Sequence, residues 1–199
     1  MTNFLRHRLW PAIALLVALT VVTGFLYPLV VTAVAQVAFP SQANGSFVRT
    51  ADGRTIGSSL IGQAFDQPRY FSSRPSAAGV TDQNKAGYDA SASGGSNLGP
   101  TNQKLIDRIA AQVDALRAVN GDKPIPVDLV TTSASGLDPD ISPAAAEYQV
   151  ARVAKERGMS ESDVRAAMSR HTEQPLLGFL GQPRVNVLLL NLDLDGLLR

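Results

Sequence analysis

Between Leu9 and Val48 the chain carries no Asp, Glu, Lys or Arg, and 21 of the 27 residues 9–35 are apolar. The exceptions are Pro11, Thr20, Thr23, Gly24, Pro28 and Thr32. As a helix this run would extend about 40 Å against roughly 30 Å of bilayer hydrocarbon, so a single membrane span over 9–35 is predicted. Pro11 suits a first turn, whereas Pro28 lies deep in the run and should kink the helix or help to end it. After the span the pattern changes period repeatedly. Asp52-Gly53 predicts a hairpin turn between two short alternating runs. Leu105, Ile109, Val113 and Leu116 form one helical stripe over 101–119, closed by Gly121. A short strand is predicted over 126–130. Ser142-Pro143 opens a helix that Gly158 closes, and Ser160-x-x-Asp163 opens another that runs to about His171. The apolar run 184–194 predicts a buried strand. The mixture reads α+β: one N-terminal transmembrane helix followed by one mixed α/β domain.

One segment has no period at all. Residues 72–100 contain five Gly, six Ser and two Pro. A compact domain rarely carries so long a loop without a function, and Tyr70, Phe71 and Tyr88 lie within or beside it as anchors.

Charge gives the span a direction. The chain has 18 basic and 17 acidic residues, a formal net charge of +1, which offers no global field for nucleic acid. Arg6 and Arg8 precede the span, and the next basic residue is Arg49. The positive-inside rule therefore predicts a cytoplasmic tail over 1–8 and an extracytoplasmic, periplasmic domain over 36–199. Trp10 falls at the inner interface. Thr20 and Gly24 lie where a small-residue face would let a partner helix approach; the alternative for that face is lipid contact. Ala33-Val34-Ala35 before Gln36 has the form of a signal-peptide cleavage site, but the apolar core of such a peptide is only about 7–15 residues long.

Chemistry is sparse. There is no Cys, and only His7 and His171 could serve as imidazole ligands. No P-loop and no G-x-S-x-G elbow occurs. His171 stands where a helix ends, and Asp138 and Asp140 punctuate a turn in which Asp140 or Ser142 caps the next helix. No catalytic or metal-binding residue is predicted. Ser93-Gly94-Gly95-Ser96-Asn97 is either a nest of amides for an anion or nucleotide phosphate, or a tight turn in which Gly supplies positive φ. Ser133-Ala134-Ser135-Gly136 offers the same more weakly.

Six ordered segments then carry a resemblance: 57–63 (GSSLIGQ), 70–76 (YFSSRPS), 93–100 (SGGSNLGP), 133–139 (SASGLDP), 149–154 (QVARVA) and 184–191 (RVNVLLLN). Together they closely resemble the C subunit of the Kdp potassium-transporting ATPase, the KdpC family. The resemblance spans nearly the whole chain. It implies a bacterial inner-membrane complex with a channel-like KdpA subunit, a P-type ATPase subunit KdpB and a small KdpF-like subunit. The C subunit would be a non-catalytic accessory protein with a retained anchor, and a catalytic chaperone that raises the ATP affinity of the B subunit. ATP, shared with that subunit, becomes a possible ligand. Because the predicted topology separates residues 36–199 from cytosolic ATP, an outer domain that braces the A subunit and acts indirectly is favoured over direct nucleotide contact by Ser93, Gly94, Gly95, Ser96 and Asn97. Tyr70, Phe71 and Arg74, with Thr20 and Gly24 in the span, are the expected partner contacts. Apart from the resemblance, the residues fit an anchored extracytoplasmic binding or chaperone domain unrelated to potassium.

Overall fold

The computed structural model describes residues 2–198 and divides the chain into two compact units, Met1–Phe47 and Val48–Arg199. The outer ends of the expected tail and domain, Met1 and Arg199, lie outside the described residues.

The first unit is a nearly continuous helix. Helix α1 (Thr2–Val21) passes through a π-helical turn (Val22–Leu26) into α2 (Tyr27–Ala38), and a short α3 (Pro40–Ala43) follows. Pro28 does not end the helix. Proline cannot donate to the carbonyl four residues earlier, and the turn before it is widened so that Tyr27 N–H reaches back to Val22 O. Thr23 Oγ1 donates to Leu19 O at 2.7 Å, which keeps that hydroxyl from being an orphan in an apolar setting. Arg6–Ala38 is long and apolar enough to cross a membrane, and none of its most apolar stretch is buried within the chain.

The second unit opens with the expected hairpin. Strands β1 (Phe47–Arg49) and β2 (Thr55–Ser58) pair across a turn with Gly53 at φ +83°. The long loop follows, and its only regular element is a 3-10 turn at Ala90–Ala92. Helix α4 (Gln103–Asn120) is capped by Asn102 and ends at Gly121. The strand expected over 126–130 is absent: Val127–Leu129 form a 3-10 turn, in which Val130 N–H and Thr131 N–H both return to Val127 O. Two residues, Asp140–Ile141, form β3. Helix α5 (Pro143–Arg157) starts on a Ser142 cap and stops at Gly158 with φ +64°. Helix α6 (Glu161–Arg170) starts on Ser160, and His171 closes it. Strands β4 (Thr172–Glu173) and β5 (Arg184–Asn186) complete an antiparallel sheet of order β3-β5-β4, with Val185 opposite both Ile141 and Thr172.

The apolar run 184–194 is corrected most. Only its first three residues are strand; Val187–Leu194 is helix α7. Asn186 makes the switch, since its side chain accepts Leu189 N–H at 3.1 Å and caps the new helix. The unbranched leucines that follow lose little freedom in a helix. Leu188, Leu190 and Leu192 are then buried, and Val187 and Leu190 join a core built with Val150, Val153, Val164, Val185 and Phe71.

Candidate functional site

Gln149 and Asn191 are polar, almost fully buried, and absent from the sequence-derived site. They hold the start of the long loop. Asn191 Oδ1 accepts Phe71 N–H at 2.8 Å, and Asn191 Nδ2 donates to Phe71 O at 2.9 Å. One residue on, Gln149 Oε1 accepts Ser72 N–H at 2.8 Å, and Gln149 Nε2 donates to Ser72 O at 3.2 Å. Two side-chain amides thus do for this segment what a neighbouring strand does in a sheet. Both come from helices, so α5 and α7 together form the seat on which the loop lies.

Two arginines extend the seat. Arg152 donates to Gln149 Oε1 (2.7 Å), Asn120 Oδ1 (3.0 Å), Tyr70 O (3.0 Å) and Pro68 O. Burial pulls its pKa down from the usual arginine value. Arg157 donates to Arg69 O, Leu194 O and Asp195, each at 2.8 Å, and lies 5.2 Å from the centre of the Tyr70 ring. Tyr70 Oη donates to Asp195 at 3.0 Å. Asn191 and Asp195 are four residues apart, so one side of α7 meets 69–71.

Phe71, an expected partner contact, is 0% exposed and belongs to the core of this chain. Arg74 is half-buried and bound inward: Nη1 pairs with Asp138 at 3.1 Å, and the guanidinium also reaches Thr131 O and Thr132 O. Above it, Tyr88 Oη donates to Arg74 O at 2.6 Å, and burial pushes the Tyr88 phenol up to about 12. Ser76 Oγ accepts Ala78 N–H and Tyr88 N–H while donating to Gly136 O at 2.6 Å.

The glycine-serine segments meet each other. Gly94 N–H donates to Ser135 O at 2.8 Å, Ser93 Oγ donates to the same oxygen at 3.0 Å, and Ser96 and Thr132 hydroxyls lie 3.3 Å apart. Gly94 and Gly95 do not adopt positive φ; Gly136 (φ +67°) and Asn97 (φ +50°) do. A Cβ on Gly136 would stand 2.6 Å from Gly94 O, so glycine there is needed for close approach as well as for conformation. Gly62 is similarly constrained, with a Cβ falling 2.5 Å from Asp138 O. Asn186 Nδ2 ties 57–63 to the last motif through Ser59 O at 2.8 Å. All six segments of the resemblance are therefore joined by hydrogen bonds, the loop layer resting on α5 and α7. Their spacing along the chain had concealed this, since the partners are 36 to 127 residues apart.

Two open clefts flank Arg74. One of about 700 Å³ is lined by Asp128, Asp138, Asp140 and Arg184 among others. There burial raises the Asp140 carboxyl, while Arg184 opposes the rise. Ser142 Oγ accepts Ala145 N–H at 3.0 Å, so Ser142 rather than Asp140 is the helix cap, and Asp128 in turn accepts Ser142 N–H at 2.7 Å. The other cleft, of about 570 Å³, brings Arg74, Lys85 and Arg108 around Phe65 and Tyr88. Arg108 Nε is buried there without a hydrogen-bond partner among the described residues. Its chemistry suits an anion with an apolar or aromatic part. No group of three His, Cys, Asp or Glu side chains in metal-binding array occurs among the described residues. In the first unit, Thr20 and Gly24 lie one turn apart, with Thr20 Cγ2 4.0 Å from where a Gly24 Cβ would be.

Comparison with known proteins gives this layer its family. The model for "KdpC: K+-transporting ATPase, c chain" matches residues 9–196. A potassium-transporting ATPase KdpC subunit from Koribacter versatilis is 57% identical over 192 residues, 96% of each chain. The KdpC subunit of Sorangium cellulosum is 60% identical over 191 residues, 95% of this chain and 97% of its own. That of Caulobacter vibrioides is 59% identical over 189 residues, 95% and 93% of the two chains. The chain whose six motifs clasp its long loop onto α5 and α7 belongs to the KdpC family of potassium-transporting ATPase subunits.

Proposed function

We propose that this chain is the accessory C subunit of a Kdp potassium-importing complex, anchored in the bacterial inner membrane by its N-terminal helix. The match to the KdpC family over residues 9–196 carries this reading; the unrelated-binder alternative has no support from it. Catalysis is assigned to a KdpB-like ATPase partner, ion selection to a KdpA-like partner, and a KdpF-like subunit completes the assembly. Arg6 and Arg8 favour a cytoplasmic N-terminus and a periplasmic domain. In that orientation the clasped loop layer is a stiff surface that braces the A subunit, and any effect on ATP affinity in the B subunit is transmitted indirectly. The chain holds its partners partly through the thin face at Thr20 and Gly24.

A second reading, direct nucleotide contact, draws on the cleft with Arg74, Lys85 and the unpaired Arg108 Nε, and separately on Ser93, Gly94, Gly95, Ser96 and Asn97. A cysteine accessibility map separates the two, because the native chain has no cysteine to give background. In cells expressing the whole complex, Phe4→Cys and Ser93→Cys should be labelled from opposite sides by a membrane-impermeant maleimide. In the same cells Gly24→Leu should reduce co-purification of the A and B partners with the tagged chain. Cytoplasmic labelling at residue 93 would overturn the topology and favour direct nucleotide binding; full co-purification of the Gly24 variant would remove the span contact.

A further inference from the structure

Residues 174–183 contain no charged side chain. At their tip Leu176, Leu177, Phe179 and Leu180 are 70, 75, 72 and 51% exposed. No other ten-residue stretch of 48–198 shows so many large apolar side chains this exposed among the described residues. Exposed Leu or Phe singly is ordinary, but a cluster of four at one tip marks a contact.

The tip's backbone is turned inward on itself. Leu176 N–H donates to Leu180 O at 3.1 Å and Leu180 N–H to Leu176 O at 2.9 Å, while Gly178 N–H reaches Pro175 O at 2.9 Å and Phe179 N–H reaches Leu176 O at 3.4 Å. Leu177 and Gly178 make the reversal with positive φ. The charges stand at the base, where Arg184 pairs with Glu173 and Asp140. Four of the five N–H groups of 176–180 are thus held within the turn, which suits the apolar tip on its charged collar to a medium poor in hydrogen-bond partners.

The chain also brings its own candidate for that medium. Its long apolar helix ends at Ala38, and only residues 39–47 precede the second unit. Nine residues reach at most about 30 Å, so the domain is never far from a bilayer that holds the helix. We propose that the 175–181 loop inserts Leu176, Leu177, Phe179 and Leu180 into the interfacial zone of that bilayer, as a second membrane contact of the subunit. The proposal rests on the helix being a membrane anchor, and on nothing about which subunits the chain joins.

The test uses the full-length chain reconstituted in phosphatidylethanolamine–phosphatidylglycerol vesicles. Phe179→Cys and Leu177→Cys each carry an environment-sensitive fluorophore, with Asp122→Cys as an exposed control. Insertion shifts both loop probes to the blue. It also makes them quenchable by shallow doxyl-labelled lipid and resistant to aqueous iodide, with the control showing the reverse. Vesicle flotation reads the anchor separately. A chain that floats while its loop probes remain open to iodide overturns the insertion but leaves the anchor intact; a chain that fails to float overturns both. Probes shielded from iodide only when the A and B subunits are present, and never quenched by the labelled lipid, identify a protein partner and also overturn the proposal.

Discussion

Within the second unit, the loop layer of residues 59–100 and the helices α4 to α7 reach order by different means. The helices bury Val150, Val153, Val164 and Leu190 against each other, and their stability follows from apolar area removed from water. The loop layer buries little beyond Phe71 and Ala78. It is ordered by hydrogen bonds from side chains to its backbone, each worth roughly 1 kcal/mol net but more when a partner is removed and a buried group is left unpaired. A glycine- and serine-rich segment therefore need not be a flexible linker. It can be a rigid surface if buried amides elsewhere in the chain are dedicated to it.

The largest expected effect lies where the two regions share a residue. Phe71→Ala removes a fully buried ring and should cost about 3–5 kcal/mol in denaturant titration, destabilising loop and helices together. Asn191→Leu is the sharper instrument. It leaves Phe71 N–H and C=O buried without partners and should cost about 2–4 kcal/mol. By hydrogen exchange, protection should collapse at 71–72 and along the loop while the amides inside α5 remain slow. Equal loss of protection in both regions would mean that the clasp is not a separate source of order. The smallest effect sits on the helical side, at Asp193. Burial alone would raise its carboxyl, but hydrogen bonds from Arg170 and His171 outweigh this and hold it below its usual value of 3.8. A lowered folded-state pKa gives stability that is complete above the ordinary carboxylate range and lost as pH falls through the lowered value. The stability gap between the native chain and Asp193→Asn should therefore be constant at neutral pH and narrow in acid below about pH 4. A gap independent of pH down to that range would show that the pair contributes nothing through charge.

What could be read from the sequence follows the same division. The Ser142 and Ser160 caps and the Gly121 and Gly158 stops are local signals, and α4, α5 and α6 start and end within two residues of where they pointed. The run 184–194 misled because continuous apolar residues have no period that separates a buried strand from a buried helix; the Asn186 cap was the signal that could have decided it. The site was less legible. Each motif was visible, but a clasp between residues 77 or 120 positions apart leaves no local spacing to find. The partial clue was Asn191, a carboxamide inside an otherwise apolar run, and it could be phased correctly only once 187–194 was known to be helical. Phe71 and Arg74 both hold the loop from within, Phe71 in the core and Arg74 through Asp138, while Arg74 also borders the two clefts.

The Asn191 clasp also sets an order of events at birth. Phe71 leaves the ribosome 120 residues before the side chain that will hold it. At about 5–20 residues per second, the segment waits roughly 6 to 24 seconds as nascent chain with its backbone unclaimed. The rest of the loop is claimed sooner, Gly94 by Ser135 and Ser72 by Gln149, so α7 is the latch that closes last, on Phe71.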